Sequence, residues 1–213
     1  MIIDFHSHIL PGIDDGSKDL GTSLEMLKIS KEQGIDYMVA TPHFHATRIS
    51  ISHFLEAREE AYKCVSEHRK SDMPKLIPGA EVAYFEGISE AEGIEKLTVG
   101  NTGLLLLEMP FGQWNQPMVS EVERLIEERH IQIMLAHLER YLFVSGNRKY
   151  MRRVMELPLY VQINAGSLKE WRKSKRLVKM FKKQQAHLLG SDCHGVHYRP
   201  QDLAEGRQIL QKK

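Results

Sequence analysis

The chain has 213 residues, 29 Lys and Arg against 28 Asp and Glu, a formal net charge of +1, and 42% hydrophobic residues. This balance excludes wholesale disorder and a generally basic nucleic-acid sleeve, and the length can bury a core without disulfide staples. No stretch approaches the roughly 18 apolar residues of a membrane span, the opening MIIDFHSHILPGIDDG lacks the basic start of a signal peptide, and Cys64 and Cys193 make no disulfide framework, so the expectation is a cytoplasmic protein.

Ile2–Phe5 is the first strand-like run, and His6 and His8 follow it. Thr22–Gln33 has helical spacing, with Leu24, Leu27 and Ser30 on one side and Gly34 as a stop. Tyr37–Thr41 is a second strand leading to Pro42 and His43. Ser52–Lys70 lines Phe54, Ala57, Ala61, Cys64 and Val65 along one helical face. Leu76–Ala80 is a third strand and runs into Glu81; Leu104–Met109 is a fourth and contains Glu108 after four leucines. Pro117–Arg129 is a helix carrying Val119, Val122, Leu125 and Ile126. Ile131–Ala136 is a fifth strand, followed by His137 and Arg140, and Leu159–Asn164 is a sixth. Leu168–Lys183 is a basic helix expected to pack Trp171, Val178 and Phe181 inward. His187–Ser191 is a seventh strand, ending in Asp192-Cys193-His194, and Asp202–Leu210 starts a last helix.

Strands alternating with helices imply a parallel sheet with right-handed crossovers, either open and doubly wound or closed as a barrel. No glycine-rich nucleotide fingerprint follows the first strand, and no repeat or linker divides the chain, so one domain over residues 1–213 is expected. The polar residues fall at the carboxyl ends of six of the seven strands, the face where parallel barrels build active sites. His6 and His8, two apart in a strand, point to one face and can reach one metal ion. Glu108 after four leucines is costly to bury unless paired or metal-bound. The candidate ligands are His6, His8, His43, His137, His194, Glu81, Glu108, Asp192 and one of the Asp14-Asp15 pair. That set exceeds the needs of one catalytic zinc. Two divalent ions would balance its four carboxylates, and three would leave positive charge for a phosphate monoester dianion. Arg140 and Arg199 add forked donors for phosphate oxygens. The mixture of nitrogen and oxygen ligands suits Mn, Fe, Zn or Co.

The segments DFHSHILPGIDDG, VATPH, GAEVAY, LLLLEMP, AHLERY, QINAGSL and GSDCH, in that order, resemble the PHP (polymerase and histidinol phosphatase) superfamily. More narrowly, the chain is similar to the bacterial capsular and exopolysaccharide protein-tyrosine phosphatases of the CpsB/YwqE type, over almost its whole length. The resemblance implies a distorted (β/α)7 barrel with its active site at the carboxyl ends of the strands. It also implies three divalent ions, manganese first among them. His6, His8, Glu81 and Asp192 would hold one ion. Glu81 would bridge to a second, shared with Glu108 and His137. Asp15, rather than Asp14, would hold the third with His43 and His194. Arg140 and Arg199 would contact the phosphate. The implied substrate is the phosphotyrosine tail of a bacterial tyrosine kinase that regulates polysaccharide synthesis. Relatives of this type usually continue past the last strand, and the segment from Leu168 to His187 is short, which bears on barrel closure and oligomeric state.

Three competing readings remain. Cys193 to Arg199 spells C-x5-R, the spacing of cysteine-dependent tyrosine phosphatases, but Pro200 and a loop poor in glycine speak against it. Histidinol phosphate or another small phosphomonoester could be the substrate of the same metal site. The basic stretch Lys169–Lys183 could make the chain a metal-binding regulatory scaffold that docks an acidic partner or an anionic surface. His45 and His197 lie close enough in sequence to the presumed ligands to assist substrate binding, and Glu139 reads either as a support for a ligand or as a salt-bridge partner.

Overall fold

Short apolar runs set the strands, and prolines and glycines set where they break. A computed structural model describes residues 1–212. Nine strand segments pair in parallel: β1 (Ile3–Ser7), β2 (Tyr37–Ala40), β3 (His43–Phe44), β4 (Lys75–Pro78), β5 (Glu81–Ala83), β6 (Leu104–Glu108), β7 (Gln132–Leu135), β8 (Tyr160–Asn164) and β9 (Leu188–Gly190). The second and third expected strands are each divided. Pro42 offers no N–H and interrupts the ladder between β2 and β3, and Gly79-Ala80 separates β4 from β5.

The order β1-β2-β4 forms one ladder and β3-β5-β6-β7-β8-β9 the other. Backbone bonds also tie the end of β1 to the segment after β9: His8 N–H donates to Cys193 O at 2.9 Å, and Asp192 N–H to His6 O at 2.8 Å. The result is a mixed α/β fold whose parallel sheet curls on itself, with helices on the outside.

The helices are α1 (Leu20–Glu32), α2 (Ile51–His68), α3 (Gln116–Glu127), α4 (Arg148–Glu156), α5 (Trp171–Lys182) and α6 (Leu203–Gln211). Asp19 caps α1, its side chain accepting from Thr22 N–H at 2.8 Å, and Asn115 caps α3 in the same way from Met118 N–H at 3.0 Å. Val119, Val122 and Leu125 of α3 pack on Leu105, Leu107, Ile133 and Leu135 of the sheet. Each such buried aliphatic chain contributes about 1.5–3 kcal/mol. Leu106, Met134 and Ala136 point the other way, into the curl with Phe5.

Three expectations need correction. The alternation lacks a helix between the third and fourth expected strands: residues 84–103 make only short 3-10 turns at Ile88–Glu90, Ile94–Leu97 and Val99–Asn101. Gly87 and Gly93, both at φ +82°, start the first two turns in a left-handed conformation that prevents one continuous helix. α4 has no counterpart in the sequence reading. The basic helix starts at Trp171, with Leu168 in a preceding 3-10 turn, and Trp171 stands 79% exposed rather than packed inward. Leu177 and Val178 take the buried positions.

Candidate metal centre

The first strand changes face partway along. Ile3 and Phe5 line an apolar hollow of about 550 Å³ at the amino end of the sheet, whereas His6 and His8 face the carboxyl-end mouth. The β1–β2 register shifts between Asp4 and Ser7, which re-aims the side chains from odd to even positions. His6 and His8 bring their Nε2 atoms within 3.1 Å of one another.

Glu81, at the start of β5, receives them. Its Oε2 lies 3.2 Å from His6 Nε2, 3.3 Å from His8 Nε2 and 2.9 Å from His43 Nδ1. Asp192 Oδ1 lies 3.5 and 3.3 Å from the same nitrogens of His6 and His8. His137 Nε2 is 2.8 Å from Glu81 Oε1 and 3.2 Å from Glu108 Oε1. His43 and His194 each hold Nε2 3.5 Å from Asp15 Oδ1. All nine expected ligand residues therefore gather at one mouth. Eight of them form three overlapping sets, each compact enough for one ion: His6, His8, Glu81 and Asp192; His8, Asp15, His43 and His194; and His43, Glu81 and Glu108, where His43 takes the place expected of His137, which falls in none of the three. His43 and His8 are shared more widely than the family resemblance implies.

The two neighbouring aspartates separate clearly. Asp14 turns inward, its Oδ2 2.7 Å from His8 Nδ1 and accepting from His43 N–H at 2.8 Å. Asp15 is the exposed one that faces the imidazoles.

The polar atoms around the cluster test whether a cation fits. Glu81 Oε2 and His43 Nδ1 sit close together without hydrogen-bond alignment, and both are buried and unpartnered among the described residues. Glu81 is held well below the ordinary carboxylate range: burial opposes this, but His6, His137 and His43 outweigh it. Asp192 is likewise held well below, against its burial, by His6 and His8. The partner imidazoles move the opposite way. Burial would lower His8, yet Asp14, Asp192 and Glu81 raise it well above an ordinary histidine, and Glu108 and Glu81 raise His137 against burial to about 9. The cluster thus demands positive charge that a divalent ion supplies in place of protons, and its donors fit such an ion.

Asp192 also faces outward. Its Oδ2 accepts from Arg140 Nη2 at 2.5 Å, from Asn164 Nδ2 at 2.7 Å and from Arg199 Nη2. Arg199 Nη1 lies 2.9 Å from His194 Nε2. Burial, with the charges of His8 and Arg199, lowers His194 to about 4. His137, Asp192 and Arg199 all hold left-handed backbones, at φ +30°, +55° and +47°. Such residues cost about 1–3 kcal/mol each and persist where the surroundings over-determine them.

Several contributors escaped the sequence reading. Gln162 Oε1 accepts from His137 N–H at 2.7 Å and lies 3.3 Å from His6 Nδ1, while its Nε2 donates to Asn164 Oδ1 at 2.8 Å. The signal was present: Gln162 and Asn164 are two polar residues at strand period in an apolar run. Asp4 anchors the loop after β9, accepting from Ser191 N–H at 2.9 Å and from Gln201 Nε2 at 2.7 Å. Phe111, 53% exposed, stacks on His137 and Tyr141 with Arg140 over its face. Among the described residues Glu139 makes no ion pair: it is buried, which raises it, and accepts from Ser167 Oγ at 3.0 Å and from Asn164 N–H. His45 stacks at 5.5 Å on His43, and His197 is exposed.

Cys193 does not face the mouth. It is fully buried among apolar neighbours, and burial together with Asp4 pushes its thiol far up. A thiol kept protonated is a poor nucleophile, which speaks against the C-x5-R reading.

The class defined by this geometry is a curled parallel α/β protein with His, Asp and Glu clusters at its strand ends that could hold metal. Within that class, the chain belongs to the CpsB/CapC family of capsular polysaccharide synthesis, whose model matches residues 2–213. It is 30% identical to the tyrosine-protein phosphatase YwqE of Bacillus subtilis, over 100% of this chain and 85% of the relative. It is 27% identical to the tyrosine-protein phosphatase CpsB of Streptococcus agalactiae, over 98% of this chain and 89% of the relative. A solved structure from work on YwqE of Bacillus subtilis and CpsB of Streptococcus pneumoniae, described as unique metal-dependent tyrosine phosphatases, aligns with a TM-score of 0.83 at 25% identity, covering 100% of this chain and 87% of that one. Among the described residues, no helix is long and apolar enough to cross a membrane.

Proposed function

We propose that the chain is a metal-dependent protein-tyrosine phosphatase, built as one (β/α)7 barrel over residues 1–213. The observation that carries the reading is the divided use of Asp192: Oδ1 faces the imidazole cluster and Oδ2 holds two arginines. Cations and phosphate-recognising forks thereby share one carboxylate. The barrel reading is supported by the bonds between β1 and the segment after β9. With β2–β3 and β4–β5 each counted as one interrupted strand, seven strands remain.

Three divalent ions, manganese first, would be held by His6, His8, Glu81 and Asp192; by Glu81, Glu108 and His137; and by Asp15, His43 and His194. When bound, such ions supply an acidified water and positive charge for a phosphoryl oxygen. The remaining work falls to the chain itself. Arg140 and Arg199 donate to the equatorial phosphoryl oxygens, where transition-state charge spreads, while Asp192 fixes their orientation. Asp14 and Gln162 orient the rings of His8 and His6. Phe111 offers an aromatic face beside Arg140 for the substrate ring. A tyrosine leaving group, with a pKa of about 10, departs more readily than an alkoxide and asks less of a general acid. The family's place in capsular polysaccharide synthesis supports, as physiological substrate, the phosphotyrosine tail of a bacterial tyrosine kinase that regulates that synthesis. Free Cys64 and Cys193 suit a reducing cytoplasm.

The test is phosphotyrosyl-peptide hydrolysis by wild type and Cys193→Ser, before chelation, after chelation and after manganese restoration. Both proteins should be active, lose activity on chelation and regain it with metal. Chelator-resistant activity that vanishes in Cys193→Ser would overturn the reading in favour of cysteine chemistry. Faster turnover of histidinol phosphate than of the peptide would move the substrate to small phosphomonoesters.

A further inference from the structure

Between Arg148 and Lys183 the chain carries twelve Lys and Arg against two Glu, although its overall charge is only +1. The fold gathers these cations around a concavity. α4 and α5 border a groove of about 700 Å³ whose rim carries Arg148 and Arg152 from α4 and Arg176, Lys179 and Lys183 from α5. All five are exposed. Among the described residues none of the five pairs with a carboxylate, whereas Arg153 and Lys173 on the same helices do, with Glu123 and Glu170. The floor is apolar: Met151, Met155 and Met180 beside Leu142 and Val144. Thioethers adapt their shape to varied side chains. Arg176 lies 5.4 Å over the exposed Phe143 ring, which steadies a cation at the rim.

The groove reaches the turn that carries Arg140. Leu138 and Tyr141 line it, and they flank Arg140, the arginine bound to Asp192. A solvated helix face would mix both signs of charge. Like charges lining one concavity instead repel one another and complement an anionic ligand.

We propose that this groove docks the segment of the substrate protein that flanks the phosphotyrosine, an acidic peptide with interspersed apolar side chains. Its carboxylates meet the five rim cations and its apolar side chains enter the methionine floor. The inference rests on the phosphatase reading for the identity of the peptide. A concave slot with an apolar floor suits an extended chain, whereas a membrane surface calls for a projecting amphipathic face.

Two phosphotyrosyl peptides of equal length test this, one with Asp, Glu and Leu beside the phosphotyrosine and one with Ser and Asn replacing the acids. The proteins are wild type and the charge-reversed triple variant Arg148→Glu, Arg152→Glu, Arg176→Glu. The small aryl ester p-nitrophenyl phosphate controls for folding and the catalytic site, and its turnover should be equal in both proteins. Wild type should favour the acidic peptide by about tenfold in kcat/KM, through KM, with the preference fading from about 50 to about 300 mM salt. The triple variant should show no preference. Equal efficiency on both peptides in wild type, or a preference that survives the reversal, overturns the proposal. If nothing is hydrolysed, the phosphatase reading fails by itself. Fluorescence anisotropy of the acidic peptide with Phe in place of phosphotyrosine then decides the groove: binding by wild type that the variant loses supports docking, and no binding overturns it. Co-sedimentation of wild type, but not the variant, with phosphatidylglycerol vesicles and without any peptide preference also overturns it.

Discussion

The inner and outer halves of the metal centre are built on opposite terms. His6, His8, Glu81 and His137 are buried, and the nitrogens of His6 and His8 that face away from the cluster have their own partners, Gln162 and Asp14. Asp15, Arg140 and Arg199 stand 68%, 34% and 29% exposed at the mouth. Burial strengthens every charge interaction of the inner half and fixes its geometry in advance. The outer half gives up that strength for access, because a substrate must enter and its phosphate leave. Asp192 belongs to both, with one oxygen in each.

The sharpest way to break this contrast is to neutralise the inner half. Glu81 serves two of the three ligand sets and the His137 contact besides. Glu81→Gln keeps the shape but removes the charge. It should lower kcat/KM for phosphotyrosyl peptide by about a thousandfold or more, with metal content falling in parallel by elemental analysis. Full metal occupancy with near-normal turnover in this variant would show that the inner half is structural only.

A smaller loss should follow from the outer half. Arg199→Ala removes one forked donor and its contacts to Asp192 and His194 but leaves Arg140 and every ligand residue in place, so a loss of about a hundredfold in kcat/KM with retained metal content is expected. Arg199→Lys should recover little, because a point charge cannot reproduce the guanidinium fork. Metal loss in Arg199→Ala would mean that the arginine supports Asp192 rather than the phosphate.

The inner half was legible in the sequence for a simple reason. Parallel strands converge their carboxyl ends, so His, Asp and Glu recurring just after apolar runs are forced together. What escaped notice depended on geometry that period-two counting does not carry. The register shift in β1 turns odd positions into floor residues and even positions into ligands, and nothing in IDFHSH marks it. Pro42 and Gly79 marked the interruptions of the second and third strands, and a reading by apolar runs passed over them. α4 is nine residues with only Val154 buried, so its helical face was hidden among arginines. Trp171 looked like core because it is large and apolar, but it sits at the first turn of α5, where the chain leaves the sheet. Gln162 and Asn164 look neutral as residue types, and their role appears only when His6, His137 and Asp192 are in place around them.

Asp202 sharpens the same contrast from outside the site. Asp192 and Asp202 are both buried or nearly so, yet they shift oppositely. Imidazoles hold Asp192 well below the ordinary range, whereas burial pushes Asp202 up to about 6, with only Lys169, 3.8 Å away, opposing it. Asp202 Oδ1 has no hydrogen-bond partner among the described residues. A carboxyl raised in the folded state contributes its full stability below the ordinary aspartate value, near pH 4, and loses it as pH rises through about 6. Asp202→Asn removes that titration. Wild type and variant should therefore melt alike near pH 4, separate as pH rises from about 4 to about 6, and keep a constant difference above that, with the variant more stable by on the order of 1 kcal/mol after allowing for solvent screening. For a chain of this size that is about 2–4 °C in Tm. A variant that is less stable at pH 7.5 would mean that the Lys169 pair outweighs burial, and that Asp202 resembles Asp192 in being held by its partner rather than strained by its surroundings.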